Sequence, residues 1–565
     1  MYSREKIYTL LSRDKAKVPM AILGILVGIS SGMLVNLFRF ALEKPFPVFL
    51  DGLHHDDFEA LPTWAHFAMP VVGCLVIGLL LHTLKPDQQR LGVAHVIDKV
   101  QNFRSKMPVR NAVMQFLTAG IALLSGGSCG REGPSIHLGA TTGGAIGSAL
   151  VLPNNSIRTL IAAGSAAAIA AAFNTPIAGV IFAMEVIMME YAITGIIPII
   201  VAAVSGTVVT QVFYGDEPVF AINSVALESL SQLPWVVLMG LVIGALASGF
   251  VRLHKAAYSF SHVDLRLRLL FIGLMTGSAA IFIPEVMGTG YDTLNDAMQG
   301  NLALKFLFTL LLAKLVVTAI SLGLGLPGGA IGSSLMIGGI AGAFMGTIGE
   351  QLAPGSHSST AFYVLIGMCA MMGATLQAPL AALMALLELS DNPAIILPAM
   401  LIIVVSNLTS SEIFRTRSVF QNTLSAKQSS LSPELSRFLN RYGVSTVTSF
   451  KFIQLDPDAD RETVTKRLDT NPEWAVINYP EDNKALVSRS SLLIALEKED
   501  FSLQDMDQAT QIIPVSMHVT LLEAFETLSE SKSVYGYVTL QDGGDGKSIS
   551  GIISQDAIMD FYRGS

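Results

Sequence analysis

The chain has 565 residues, 51% of them hydrophobic and only 14% charged, with a formal net charge of −8. That balance excludes a soluble globular protein and describes a polytopic membrane protein. The charges gather in the ends and loops, so the net value points to no nucleic-acid partner.

In chain order, Met1 to Lys17 is basic and mixed, without the pattern of a cleaved signal, and predicts a cytoplasmic amino terminus. Val18–Ala41 and Trp64–Leu84 are long enough to span a bilayer. Between them, His54, His55, Asp56 and Asp57 read as a solvated loop rather than a metal site, since no further ligands recur at helical spacing. Beyond Arg90 the apolar segments shorten and are cut by Gly and Pro: Ala112–Leu124, Ser135–Leu152, Ile157–Ala172 and Pro176–Met188. Short, interrupted helices of this kind present their ends at the middle of a membrane, where ions bind. Cys74, Cys129 and Cys369 lie in apolar segments without metal-like spacing and read as packing residues.

Within this region Ser125–Gly139 (SGGSCGREGPSIHLG) sets Arg131 and Glu132 between glycines in an otherwise apolar run. An ionisable residue at membrane depth is costly and marks a partner or an aqueous route. Pro134 suits the first turn of a helix, whose free amides and positive dipole end form an anion site. Glu132 is then a tethered anion that competes with a mobile one.

Ile193–Phe213 spans again, Tyr214–Pro218 (YGDEP) is a polar turn, and then the pattern restarts. Pro234–Val251, Leu269–Ile283 and Leu304–Leu322 lead into a second glycine-rich stretch, Gly323–Gly342. Gly130, Gly133, Ser135 and Gly139 align with Gly329, Gly332, Ser334 and Gly338 at an offset of 199. Pro176, Ala178 and Glu185 align with Pro379, Ala381 and Glu388 at an offset of 203. An internal repeat with interrupted helices in both halves places a site where the halves meet.

Pro393–Val405 is the last strong apolar run, and beyond about Lys427 the charges return. Helical stretches at Asp460–Asp469 and Ser490–Glu497 flank a strand at Trp474–Asn478. A similar unit follows, with helix at Leu521–Ser529, strands at Val534–Leu540 and Ser548–Ile553, and helix at Gln555–Tyr562. Asp542–Gly546 (DGGDG) is a turn.

These residues resemble the CLC family of chloride channels and chloride/proton exchangers, followed by a pair of CBS modules, over nearly the whole chain. Gly130–Pro134 (GREGP) matches a family motif letter for letter, while Pro327–Ser333 (PGGAIGS) and Ala172–Gly179 (AFNTPIAG) resemble two others. The resemblance implies an all-α polytopic membrane domain of two inverted repeats with interrupted helices, plus a C-terminal α/β CBS pair. The corresponding boundaries are 1–17 for the N-terminal segment, 18–426 for the membrane domain and 427–565 for the CBS pair, with repeats of about 18–215 and 216–426. It further implies a homodimer with one pathway per subunit. Carried over, Glu132 is the gating glutamate, and Gly130, Arg131 and Gly133 lie with it in the anion-binding motif. The amides of Ala330 and Ile331 bind the central anion, and Leu91 and Gly92 belong to the first anion loop. Glu185 and Glu388 take structural roles near helix ends.

The sequence departs from the family in three places. Leu91 stands where a serine hydroxyl touches the anion, and Phe420 where the pore tyrosine stands, which leaves mainly backbone donors. Val186 occupies the position at which exchangers carry a proton-transferring glutamate. Glu190 shares the helix face of Val186 if that helix continues through Met189. In the tail, Gly551–Asp556 (GIISQD) resembles a CBS nucleotide signature, in which Ser554 and Asp556 would contact an adenosine ribose; the first module lacks the aspartate.

Taken together, the sequence predicts a passive, Glu132-gated chloride channel of a cell membrane. It is multi-pass, with both termini cytoplasmic and modulation through the CBS pair. Two other functions fit the same residues: a chloride/proton exchanger, or a nucleotide-sensing membrane protein with an inactive transport core. No cofactor is required for transport, although ATP or another adenine nucleotide suits the CBS pair. No catalytic triad, metal motif or phosphate-binding loop is present, so no enzyme activity is expected.

Overall fold

A computed structural model describes residues 17–45, 57–84, 88–102, 107–191, 195–216, 225–353, 358–421, 433–480, 483–497, 501–504, 509–540 and 549–564. Residues 1–16, His54, His55, Asp56, the last two residues of the YGDEP turn and the DGGDG turn lie outside that set. The chain forms two units, one of Lys17–Ser148 with Thr159–Ala426, the other of Lys427–Ser565 with Ala149–Arg158.

Among the described residues, nine helices are long and apolar enough to cross a membrane. Their burial separates two roles. Asn154–Phe173 and Ile331–Leu352 have 94% and 83% of their apolar window buried, against 33% for Leu265–Phe282. The first two form the centre, and the third leaves Leu267, Phe271, Leu274 and Ile281 open to a surrounding apolar phase. Close helix approach in the centre depends on small residues. A Cβ on Gly139 would collide with the carbonyl of Gly164, and one on Gly338 with the carbonyl of Gly367.

Those two glycine pairs correspond across the repeat, and other contacts obey the same symmetry. Gly130 and Gly329 form an isolated antiparallel bridge with two N–H···O bonds of 2.8 Å. The carboxylate of Glu185 accepts the amides of Leu380 and Ala381 at 3.3 and 2.8 Å. That of Glu388 accepts the amides of Ile177 and Ala178 at 2.8 and 2.7 Å. Each glutamate thus satisfies the orphan amides at the start of a helix in the opposite repeat, Pro379–Ser390 or Pro176–Phe182.

Several elements differ from the sequence reading. The helix expected at Ser135–Leu152 begins at Glu132 and ends at Ala149. Pro176–Met188 is α-helical only to Phe182, and Ala183–Met188 is π-helical. Gly92–Asn102, Tyr291–Met298 and Thr360–Leu376 are additional helices.

The C-terminal unit contains two small sheets. β1 (Phe452–Leu455), β2 (Trp474–Asn478), β3 (Lys484–Ser488) and β4 (Thr510–Gln511) form one, and β5 (Ile513–Ser516), β6 (Tyr535–Thr539) and β7 (Ile549–Ser554) the other. β1 runs parallel and β3 antiparallel to β2, and β5 and β7 bear the same relations to β6. Helices Arg461–Leu468 and Leu521–Glu530 join the parallel pairs, the second started by a Thr520–Glu523 capping box. Trp474 and Tyr535, at equivalent places in the two modules, pack with ring centroids 5.1 Å apart. This doubled topology is compatible with a CBS-type pair. Asn154 belongs to this unit through hydrogen bonds to the His518 carbonyl and the Glu523 carboxylate.

Candidate functional site

Glu132 opens its own helix and reaches across to the other repeat. Its Oε2 accepts the amide of Gly332 at 3.1 Å, in the first turn of Ile331–Leu352. Its Oε1 accepts the hydroxyl of Tyr291 at 2.7 Å. The side chain is only 1% exposed, a position in which a carboxylate is stable only when hydrogen-bonded. The positive end of a 22-residue helix supplies further stabilisation. Glycine is needed here for space: a Cβ on Gly130 or Gly332 would run into the carboxylate.

Three residues outside the sequence reading hold this arrangement. Tyr291 begins the short helix Tyr291–Met298, and the loop before it is held by the fully buried Lys314. The Lys314 ammonium donates to the carbonyls of Val286, Met287 and Gly288 at 2.8, 3.1 and 2.8 Å. A buried cation at membrane depth needs such partners. Gln115 accepts the Gly92 amide at 2.7 Å and donates to the Pro327 carbonyl at 3.4 Å, tying the start of helix Gly92–Asn102 to the loop before Ile331–Leu352. No local pattern announces these residues, because each contact joins segments far apart in sequence. An isolated lysine within the apolar run Leu304–Leu324 was the one visible signal.

A cavity of about 450 Å³ leads to the same place, with Leu91, Gly92, His95, Arg268, Ala330 and Phe420 on its wall. The structure therefore brings together four of the expected anion-site residues. Ala330 and Ile331 head their helix, where no intrahelical carbonyl can reach their amides. The next residue, Gly332, is held by Glu132. An anion entering the cavity thus meets a helix start already bound to a tethered carboxylate. Leu91 and Phe420 offer no hydroxyl on this wall, and Phe420 is buried.

Other expected site residues have different contacts. The Gly130 amide is spent on Gly329, so it is a bridge rather than an anion donor. Gly133 gives the backbone of Gly329 room to approach. Arg131 reaches the Glu43 carboxylate at 3.8 Å and lies over the Tyr291 ring, 5.8 Å from its centroid. Val186 is buried within the π-helical turn. The helix ends at Met188, with Met189 in the left-handed region at φ +54°, so Glu190 does not continue the helix face of Val186. In the tail, the Ser554 hydroxyl caps helix Gln555–Arg563 by accepting the Ala557 amide at 3.1 Å, and Asp556 lies in the first turn. Ser488 caps its helix in the first module in the same way. Among the described residues no group of His, Cys, Asp or Glu is arranged to hold a metal ion.

Comparison with known proteins agrees with this geometry. The voltage gated chloride channel family model matches residues 73–411, more than half of the chain. The H(+)/Cl(−) exchange transporter ClcA of Vibrio cholerae is 27% identical over 406 residues, covering 70% of this chain and 87% of that protein. A protein of Ralstonia nicotianae named chloride channel protein ClcB-like is 29% identical over 358 residues, covering 62% and 83%. In fold, the chain is similar to a eukaryotic CLC transporter, with a TM-score of 0.63 and 16% identity, covering 95% of this chain and 97% of that one. The glutamate-capped helix start and the paired repeats therefore sit in a multi-pass membrane protein that belongs to the CLC family of voltage-gated chloride channels.

Proposed function

We propose that the chain exchanges chloride for protons across a cell membrane, with Glu132 as the group both ions act upon. The observation that carries this reading is the Glu132 carboxylate on the Gly332 amide at 3.1 Å. A carboxylate there excludes a mobile anion by charge and by occupancy. Protonation removes the charge and weakens its hold on the helix start, so that chloride takes the amides of Ala330 and Ile331. Movement of one ion then requires movement of the other. Similarity to the Vibrio cholerae exchange transporter supports the same reading.

Passive conduction is the second reading, favoured by Val186, an apolar side chain at the position that the family resemblance gives to a proton-transferring glutamate. Under either, the chain is a homodimer with cytoplasmic termini and a regulatory C-terminal CBS pair, and it catalyses no covalent chemistry. Exchange is tested by reconstituting the purified protein in liposomes under an outward chloride gradient. Sustained uphill proton uptake is the expected result; chloride efflux with no proton uptake would establish passive conduction.

A further inference from the structure

His95 and His137 form a buried imidazole pair that the anion site does not use. Their ring centroids are 5.4 Å apart, and they are 4% and 0% exposed. None of their four ring nitrogens has a hydrogen-bond partner in the protein. Buried polar atoms are almost always satisfied, by protein or by ordered water, so four unsatisfied nitrogens in one place call for ordered water. The pair also has direction. His95 lines the cavity that reaches Ala330. His137 lies on Glu132–Ala149, five residues beyond Glu132, about 7.5 Å along the helix axis and about 140° around it, so the last step to Glu132 passes through water around the helix.

We propose that His95 and His137 relay protons between the cavity and Glu132. This rests on the exchange reading above and supplies the route that Val186 lacks. A proton from cavity water binds one nitrogen of His95, and the opposite nitrogen releases a proton toward His137. His137 repeats the step, and water carries the proton on to the Glu132 carboxylate. One proton enters and one leaves; both rings end neutral with exchanged tautomers and reset by rotation. Imidazole suits this because one ring nitrogen accepts a proton while the other donates one.

The charged groups around the pair are Arg90 and Lys99, which act on His95 electrostatically, and Asp98, which faces Arg90 at 3.8 Å. Helix Gly92–Asn102 packs on the turn Ala183–Met188 through Gln101, which donates to the Met188 carbonyl at 3.0 Å. The carboxylate of that turn, Glu185, is occupied by the Leu380 and Ala381 amides and the Tyr191 hydroxyl.

The test is the ratio of protons to chlorides moved by the full chain in liposomes, read with pH and chloride electrodes. His137→Gln is expected to lower the ratio at least tenfold while chloride efflux stays above that of protein-free liposomes. His95→Ala is expected to lower it similarly and to recover with millimolar imidazole, which the cavity admits; Glu132→Gln in the same imidazole shows no recovery. Wild-type ratios in both histidine variants would overturn the relay and leave exchange standing. A lowered ratio in His95→Ala that imidazole does not restore would also overturn it, assigning the pair a packing role. A wild-type protein that moves chloride without protons would overturn exchange, and the relay with it.

Discussion

The Tyr291 hydroxyl donates to the Glu132 carboxylate at 2.7 Å across 159 positions of sequence. A hydrogen bond to a charged acceptor contributes about 1.5–3 kcal/mol. Tyr291→Phe removes it without changing the ring that lies beside Arg131. Chloride efflux is expected to rise severalfold in liposomes, because the tethered carboxylate yields more easily to a mobile anion. Unchanged efflux would show that the Gly332 amide alone holds Glu132.

Removing the charge goes further than loosening it. Glu132→Gln should raise chloride efflux, flatten its dependence on pH and abolish proton movement, since an amide neither repels chloride nor binds a proton in this range. An efflux profile across pH that matches the wild type would remove Glu132 from the gate.

Glu185 and Glu388 each accept two amides from the opposite repeat, and their loss should act on stability rather than on transport chemistry. Glu388→Ala leaves the Ile177 and Ala178 amides without their acceptor, at about 1.5–3 kcal/mol for each bond to the charged group. The melting temperature of the detergent-solubilised protein should fall by several degrees. Glu388→Gln, which keeps one acceptor, should fall less. Equal melting for all three proteins would contradict the capping role.

Much of this architecture is legible in the sequence, for identifiable reasons. GREGP and PGGAIG are dense in glycine because backbone meets backbone and carboxylate there, and such density shows in any reading. The offsets of 199 and 203 are visible because both halves solve one packing problem, as the Gly139–Gly164 and Gly338–Gly367 contacts show. The partners of Glu132 are less legible. Tyr291 begins an eight-residue helix with no span-like pattern, and Gln115 reads as an ordinary polar residue in the middle of a helix. Glu190 misled for a local reason, since a π-helical turn and a left-handed Met189 break a helix that the apolar pattern suggests should continue. The histidine pair joins positions 42 apart, and neither residue stands out alone.

On the cavity wall, Phe420 stands near Ala330 without a hydroxyl to offer an anion. Phe420→Tyr should therefore tighten chloride binding about tenfold, the effect of roughly 1.4 kcal/mol from one added donor. Calorimetric titration of the purified protein measures this. Tight binding in the wild type that is unchanged in the variant would show that backbone amides suffice.

The C-terminal unit presents Asp556 in the first turn of its last helix, with the Ser554 hydroxyl engaged as the cap. Full-length protein should bind ATP or another adenine nucleotide, and Asp556→Ala should weaken that binding tenfold or more through loss of acceptors for the ribose hydroxyls. No binding at millimolar nucleotide would assign the two modules a purely structural role.

The account turns on whether one carboxylate couples two ions, and the reversal potential under combined chloride and pH gradients measures that coupling directly. With the chloride gradient fixed across a planar bilayer or a liposome membrane, exchange predicts that the reversal potential shifts each time the pH gradient is changed. A reversal potential that follows the chloride gradient alone, whatever the pH difference, would contradict it.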